Sequence, residues 1–340
     1  MKYVGIDYHK EFATVCIMSG AGNVQEVFEV PATPAGMDEF VSHMGKGRFK
    51  VMGEAFNMSI DLHNHLIGRG IDSILIKPTD LRLITQSSKK TDPNDAVNIA
   101  RYLMLHDKGQ LILNPSYILK DGLLKSRCIC RLREGMAIQK GKLSQNIKSH
   151  MRINAEYLPK EVGEDLNTQK VRNAIMIAYA DDPTLMEMMN QYTYIETRCK
   201  ALESSMKDME FDWDSVELLK TIPGVGELTA CQIMSMIVDI SRFESADKMR
   251  SFFGMAPNVR DSGGKMNHSH ITKKGDSMMR HVLMRTVVLH NQSCPLSPVS
   301  RCYRSRSPNG KKSAQMAAAN KLLTIIYAML RDRRPFLVLP

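Results

Sequence analysis

The chain has 340 residues, of which 43% are hydrophobic and 24% are charged. This length predicts two domains rather than one, and the composition argues against an intrinsically disordered chain. No apolar run approaches the roughly 18 residues that a membrane span needs, and the N-terminus does not have the basic-then-apolar order of a signal peptide. We therefore expect a cytoplasmic protein with no membrane partner.

The net charge of +10 is unevenly distributed along the chain. Residues 241–340 contain 18 Lys+Arg and 5 Asp+Glu, a balance of +13, which leaves −3 for residues 1–240. A region with this excess attracts polyanions, and nucleic acid is the commonest such partner. The alternative is a generally basic surface that keeps the protein soluble.

The N-terminal pattern predicts three strands followed by alternating helix and strand. Apolar runs separated by turn residues predict strands at 2–7, 13–19 and 24–30, then a helix near Pro34, a strand at 49–55, a helix at 59–67, a strand at 71–76 and a helix from Asp92 to about His106. This is the order of a ribonuclease H-like α/β domain, which we place at residues 1–112.

The next segment, residues 113–212, is almost wholly helical in pattern. Leu, Ile and Met recur there at helical spacing between Lys, Arg, Glu and Gln. This pattern predicts a long helical hairpin or coiled coil, which serves as an arm for self-association. A simple helical linker domain gives the same pattern.

Residues 213–340 form the basic segment, which we expect to be mostly α-helical. Ile222-Pro223-Gly224-Val225-Gly226 between apolar helices predicts a helix-hairpin-helix. Gly224 and Gly226 would let backbone N–H groups approach a DNA phosphate, although a plain packing corner between two helices is the alternative. The pattern continues with a Gly/Ser/Lys-rich loop at 258–274, a helix at 276–290, a linker at 294–309 and a final helix at 311–330.

Four acidic residues lie at the ends of predicted strands or at the start of a predicted helix. Asp7 and Glu54 each end a strand, and Asp92 and Asp95 begin a helix, where an i, i+3 spacing places both on one face. Carboxylates that meet at one edge of a sheet suit Mg²⁺ or Mn²⁺, and two such ions can promote phosphoryl transfer. As alternatives, Asp92 is an ordinary N-cap, Asp95 is favoured by the helix dipole, and Glu54 is a structural or solvated residue.

A serine in the C-terminal loop has neighbours that suit a phosphodiester nucleophile. Ser262 precedes two glycines in a loop that also contains Arg260 and Lys265. Three further cations follow, Lys273, Lys274 and Arg280. Access to phosphorus and positive charge for a developing oxyanion are what such a nucleophile requires. The alternative is an ordinary surface loop, because Ser-Gly-Gly is common in loops.

In this order, these motifs resemble the DEDD-type insertion-sequence transposases, a family that includes the Piv-type DNA invertases. The resemblance covers nearly the whole chain. It is carried by Gly5-Ile6-Asp7, Gly53-Glu54-Ala55, Lys90-Thr91-Asp92-Pro93-Asn94-Asp95-Ala96, Ile222 to Gly226, Phe253-Gly254-Met255-Ala256-Pro257, Ser262-Gly263, Lys273-Lys274-Gly275 with Arg280, and Asn309-Gly310-Lys311-Lys312.

The resemblance implies a RuvC-like N-terminal domain and a C-terminal serine transposase domain. The implied metal tetrad is Asp7, Glu54, Asp92 and Asp95, with Mg²⁺ as cofactor, and the implied nucleophile is Ser262. Members of the family are thought to form a serine–phosphate linkage, with two protomers completing each site. This implies a homo-oligomer, a dimer or tetramer, in the prokaryotic cytoplasm at the nucleoid. Some members are guided by a structured noncoding RNA encoded beside the gene.

We therefore expect a Mg²⁺-dependent DNA recombinase that moves its own element. Two other functions are kept open by the same residues. The first is a structure-specific DNA nuclease that uses the four carboxylates with water as the nucleophile. The second is a non-enzymatic nucleic-acid scaffold, in which the basic domain binds and the acidic edge is inert.

Overall fold

The computed structural model describes residues 1–45, 47–55, 57–77, 92–154, 163, 165–262, 265–272 and 275–337. For residues 57, 58, 92, 93, 257–262, 265–270 and 309 it describes the backbone only. The chain separates into two compact units, Met1–Leu119 and Lys120–Pro340. Within these described residues, no helix combines the length and the hydropathy that crossing a membrane requires.

The first unit is built on a five-stranded mixed sheet. Its strands are β1 Lys2–Tyr8, β2 Phe12–Ser19, β3 Val24–Pro31, β4 Phe49–Glu54 and β5 Asp72–Ile76, in the order β3-β2-β1-β4-β5. β1, β2 and β3 pair antiparallel, whereas β4 pairs parallel with both β1 and β5. The predicted N-terminal α/β domain is confirmed, with strand bounds within one or two residues of those expected.

Helices cover both faces of this sheet. α1 (Pro34–Met44) and α2 (Asn57–Gly68) pack on one face, and α3 (Asp92–Asp107) packs on the other. Val4 and Ile6 of β1 share a core with Phe40 of α1, whereas Tyr3 shares a core with Ile99 of α3. β1 is therefore apolar on both sides, as a central strand covered on both faces must be.

The second unit begins with a helical hairpin. It contains α4 (Asp121–Ile153), α5 (Gln169–Ala178) and α6 (Pro183–Ser205). Arg133 on α4 donates to Glu203 near the end of α6 at 2.8 Å, and His150 pairs with Asp182 at the start of α6. α4 and α6 therefore run antiparallel, as the predicted helical hairpin requires.

The rest of the second unit is mostly helical. Its elements are α7 Trp213–Lys220, α8 Glu227–Ile237, α9 Ala246–Phe252, β6 Pro257–Ser262, β7 Lys265–Ile271, α10 Ser277–Ser293, α11 Pro298–Arg306 and α12 Lys311–Asp332. The core is formed mainly by α8, α10 and α12, with fully buried residues such as Ile233, Leu283 and Leu322.

Two predictions about this unit were wrong. The expected loop at 258–274 contains a β-hairpin, in which β6 and β7 pair antiparallel. The strands are polar and lack an apolar alternation, so backbone pairing forms them without a sequence signal. The expected linker at 294–309 contains α11. Ser297 and Pro298 are a helix start there, because the Ser297 hydroxyl accepts the Ser300 N–H at 3.0 Å and proline occupies the first turn.

Candidate active site and nucleic-acid-binding residues

Asp7 and Glu54 lie side by side at the carboxyl edge of two central strands. β1 and β4 run parallel, and their register places Ile6 opposite Gly53. Asp7 and Glu54 are the next residue on each strand, and neighbouring strands are about 4.8 Å apart. The sheet therefore brings together the first two of the four predicted carboxylates.

The two carboxylates also project from the same face of the sheet. Tyr3 and Met52 pack in the core shared with α3, whereas Ile6 packs in the core on the opposite face. Because side chains alternate along a strand, Asp7, four residues after Tyr3, and Glu54, two residues after Met52, point to the α3 face. The side chain of Asp7 is 15% exposed, and Nε2 of His9 lies 3.4 Å from its Oδ2.

Gly5 allows α3 to lie directly against β1. A Cβ added at Gly5 would lie 2.2 Å from the carbonyl oxygen of Ala96 and 2.3 Å from the amide nitrogen of Ala100. These distances are far inside van der Waals contact, so the backbones of the strand and the helix touch here. The absence of a side chain at Gly5 sets the distance between β1 and α3.

α3 begins at the edge of the sheet that carries Asp7. Its last residue, Asp107, accepts a 2.7 Å hydrogen bond from the hydroxyl of Tyr3, near the start of β1. α3 therefore runs antiparallel to β1, and its first turn, which contains Asp95, lies at the carboxyl end of β1. The positive end of the helix dipole points to this edge, where it stabilises carboxylates.

A metal site at this edge needs a third ligand from α3. Asp92 is the first residue of α3, and its side chain lies outside the described residues. Among the side chains that are described, no group of three His, Cys, Asp or Glu is arranged to hold a metal ion. Asp7, Glu54 and Asp95 nevertheless supply only carboxylate oxygens, the donor type that Mg²⁺ and Mn²⁺ prefer. By their chemistry, these residues fit a hard divalent cation.

Ser262 ends a strand of the β-hairpin in the second unit. It is the last residue of β6 and pairs with Lys265, the first residue of β7. The side chains of Ser262, Arg260 and Lys265 lie outside the described residues, as do Lys273 and Lys274 altogether. The backbone thus places the predicted nucleophile at the tip of a hairpin, in a different compact unit from the carboxylates.

Arg280 holds the base of this hairpin. Its guanidinium donates to the carbonyl oxygen of Phe253 at 3.1 Å and to that of Gly275 at 2.7 Å. These carbonyls belong to the turns on either side of β6 and β7. A Cβ at Gly275 would lie 2.2 Å from the carbonyl carbon of Phe253, so the two turns are in direct contact. The geometry gives Arg280 a structural role, and its contact with DNA stays a prediction.

The two predicted hairpin glycines have different surroundings. Gly224 has a φ of +88°, and a Cβ there would lie 2.8 Å from the amide nitrogen of His290 on α10. Gly226 directly precedes α8, and no described atom lies within 4 Å of its added Cβ. Gly224 is therefore required for packing inside the unit, and Gly226 has the open backbone that an approaching phosphate needs.

Two family models match the chain in separate regions. A DEDD transposase model of the IS110 type matches residues 4–153, and the model of the transposase IS116/IS110/IS902 family matches residues 216–303. The chain belongs to the IS110/IS116 transposase family. The first match contains the four carboxylate positions of this transposase, and the second contains Ser262, Gly224 and Gly226.

Curated relatives agree with this assignment. The transposase is 25% identical to the transposase for insertion sequence element IS1111A of Coxiella burnetii, over 99% of this chain and 91% of that protein. It is 27% identical to the pilin gene-inverting protein of Moraxella lacunata, over 53% of this chain and 56% of that protein. It is 35% identical to the pilin gene-inverting protein of Moraxella bovis, over 35% of this chain and 38% of that protein.

The sequence analysis missed a buried carboxylate in this transposase, Glu134 on α4. Its side chain is 1% exposed and accepts hydrogen bonds from Gln232 at 2.8 Å, His281 at 2.8 Å and Arg285 at 3.2 Å. Burial raises the pKa of Glu134, but the Arg285 charge and the Gln232 and His281 hydrogen bonds outweigh burial and hold it below its usual value. Glu134 thereby joins α4 to α8 and α10. No local pattern identifies it, since a glutamate within a helix is ordinarily exposed.

Proposed function

We propose that this transposase cleaves and rejoins DNA with an active site built from a ribonuclease H-like, RuvC-like domain and the Ser262 hairpin. The observation that carries the proposal is the placement of Asp7 and Glu54 side by side on the α3 face, where the first turn of α3 begins. The strand order β3-β2-β1-β4-β5, antiparallel and then parallel, supports the ribonuclease H-like assignment.

In the proposal, Asp7, Glu54, Asp92 and Asp95 hold Mg²⁺, or Mn²⁺ in its place. When bound, the cation supplies positive charge that stabilises the negative charge developing on a phosphate. The protein contributes the carboxylates and their spacing, which depends on the close contact of β1 with α3. The dipole of α3 adds a favourable field at the same place.

Ser262 is the proposed nucleophile. Its hydroxyl oxygen forms a bond to phosphorus, the bond from phosphorus to the leaving deoxyribose oxygen breaks, and the hydroxyl proton passes to that leaving oxygen. Rejoining reverses these changes, with a deoxyribose hydroxyl as the attacking group. Because a phosphodiester-like bond is kept throughout, the two steps need no external energy source.

DNA is the proposed partner, together with a second copy of the chain and a structured RNA encoded beside the gene. The names of the relatives, which refer to transposition and to inversion of a pilin gene, support action on DNA. The RNA and the dimer or tetramer rest on the family resemblance. Nucleic acid that co-purifies with the protein, digested separately by ribonuclease and deoxyribonuclease, tests the RNA directly.

Two substitutions test the chemistry on DNA that carries the ends of the element. We expect Asp7→Asn to abolish cleavage and to leave DNA binding intact, whereas Asp61→Asn, on the exposed surface of α2, should retain both. We expect Ser262→Ala to abolish the covalent protein–DNA species that a denaturing gel detects. Cleavage that survives Ser262→Ala would instead indicate a nuclease that uses water, and an Asp7→Asn protein with full activity would indicate a scaffold.

Mixing the two inactive proteins tests whether protomers share an active site. Asp7→Asn protein retains an intact serine, and Ser262→Ala protein retains intact carboxylates. If each site combines one unit from each of two protomers, the mixture should recover cleavage that neither protein has alone. A mixture that stays inactive, although the two proteins co-assemble, rules out this sharing.

A further inference from the structure

A cluster of cations lies far along the chain from the Ser262 hairpin, where α11 turns into α12. It consists of Arg301, Arg304 and Arg306 on α11 and Lys311 and Lys312 in the first turn of α12, and we call it the basic corner. All five residues are exposed. Apart from the resemblance at Lys311 and Lys312, no predicted site includes them.

The sequence around the basic corner contains no acidic residues. Between Asp276 and Asp332 the sequence contains nine Lys or Arg and no Asp or Glu. None of the five cations forms an ion pair with the described residues. Cations elsewhere in the unit do, as Lys200 does with Glu196 and Lys248 with Glu244. The unpaired charges therefore add to a local positive potential instead of cancelling.

A buried polar network fixes the orientation of α11. His290 on α10 donates from Nδ1 to the carbonyl of Pro223 at 2.7 Å, and its Nε2 lies 2.7 Å from the hydroxyl of Ser297, the N-cap of α11. Val299 and Ser300 on the inner side of α11 are fully buried. α11 is thus anchored through its inner face, and its outer face carries the cations.

The spacing of the cations suits a phosphate backbone. Arg301 and Arg304 are one helical turn apart on α11, so they lie on the same face. The exposed residues between the cations include Ser305 and Gly310, which are small enough to let a bulky anion approach closely. Arginine, lysine and serine are among the side chains that contact DNA phosphates, and such contacts position DNA without reading its sequence.

We propose that the basic corner binds the phosphate backbone of double-stranded DNA, independently of the base sequence. This inference rests on the proposed action on DNA, but not on the serine chemistry. The corner would hold a duplex on the second unit through charge alone. Its contribution should therefore be strongly dependent on salt, since each neutralised phosphate releases condensed counterions.

The test measures the affinity of the full-length protein for a random-sequence DNA duplex over roughly 50 to 200 mM salt. Two double variants each remove two charges, Lys311→Gln with Lys312→Gln and Arg301→Gln with Arg306→Gln. Arg304 is retained because its guanidinium donates to the carbonyl of Pro295 and holds the turn before α11. The slope of log affinity against log salt is negative, and each double variant should make it less steep by about 1.8, or about 0.9 per lost phosphate contact.

The matched control is Lys200→Gln with Lys248→Gln, which removes the same charge from two cations that are paired with glutamates. We expect its slope to equal that of the parent protein. Equal slopes for the control and both basic-corner variants would overturn the proposal. The proposal would also be overturned if the basic-corner variants lost affinity only for an RNA duplex, or only for particular DNA sequences. The readout is affinity and needs no cleavage, so the outcome is separate from the test of the serine chemistry.

Discussion

Replacing Gly5 by alanine tests the contact that positions α3 against β1. The added Cβ would lie 2.2 Å from the Ala96 carbonyl oxygen and 2.3 Å from the Ala100 amide nitrogen. Both neighbours are backbone atoms, which cannot rotate away as a flexible side chain can. Since heavy atoms in contact are ordinarily about 3.5 Å apart, α3 has to retreat by about 1 Å.

This displacement has two expected consequences. Overpacking of this kind destabilises a well-packed core by about 1–3 kcal/mol, and the loss should be confined to the first unit. The retreat also moves Asp95 away from Asp7. A misplacement of about 1 Å lowers catalytic rates on the order of 100-fold, so we expect cleavage to fall by about that factor while DNA binding is unchanged.

The assay is urea unfolding of the full chain, with the two units followed separately. The single tryptophan, Trp213, lies in the second unit, so its fluorescence reports that unit and should not change. Far-ultraviolet circular dichroism also reports the first unit, where the Gly5→Ala midpoint should fall. Gly68→Ala is the control, because no described atom lies within 4 Å of its Cβ and the expected change is below about 0.5 kcal/mol. Equal midpoints for both variants, with full cleavage by Gly5→Ala, would refute the argument.

Four further predictions concern the second unit, each measured by Trp213 fluorescence in urea. Glu134→Ala should destabilise the second unit by about 2 kcal/mol, because Arg285, Gln232 and His281 lose their acceptor. A urea midpoint within error of that of the parent protein would contradict the stabilising role of Glu134. Because the pKa of Glu134 is lowered in the folded protein, its carboxylate adds stability that is fully present above pH 4.5, the usual pKa, and is lost as pH falls through the folded pKa. The urea midpoint of Glu134→Gln should therefore fall less on acidification than that of the parent protein. Gly224→Ala should destabilise the second unit by about 1–3 kcal/mol, because the φ of +88° at this position is strained for alanine and the backbone of His290 occupies the space for a Cβ. Gly226→Ala should leave the stability unchanged, because the space beside Gly226 is open. Burial lowers the pKa of His290, although the hydrogen bond to the Pro223 carbonyl opposes the shift. The contribution of neutral His290 to the stability of the second unit is therefore complete above pH 6.5 and is lost as pH falls through the folded pKa. A urea midpoint that stays level between neutral pH and about pH 5.5 would contradict this.

The sequence predicted the N-terminal sheet closely because its signals are local. β1 and β2 are runs of apolar residues bounded by turn residues, and each signal lies within the strand itself. The position of Asp7 and Glu54 at strand ends follows from the same patterns. The hairpin of β6 and β7 has no such signal, because its polar strands are defined by pairing with each other.

Chain order alone left the roles of several predicted DNA-binding residues undecided. Gly224 and Gly226 are two residues apart and have the same sequence signal, yet α10 packs against the first and the second is open. The sequence suggests that Arg280 is free to contact DNA, yet its guanidinium donates hydrogen bonds to the carbonyl oxygens of Phe253 and Gly275. These distinctions depend on which distant segment lies beside each residue.

The sequence by itself determined where the strands and most helices lie and which acids stand at their ends, because side-chain alternation, helix caps and turn residues act over a few positions. Only the tertiary structure decided that Asp7 and Glu54 share the α3 face and that Gly5 sets the separation of β1 and α3. It also decided that Glu134 is buried against Arg285, 151 positions away. Contacts of this range depend on how whole elements pack, and no short stretch of sequence specifies that.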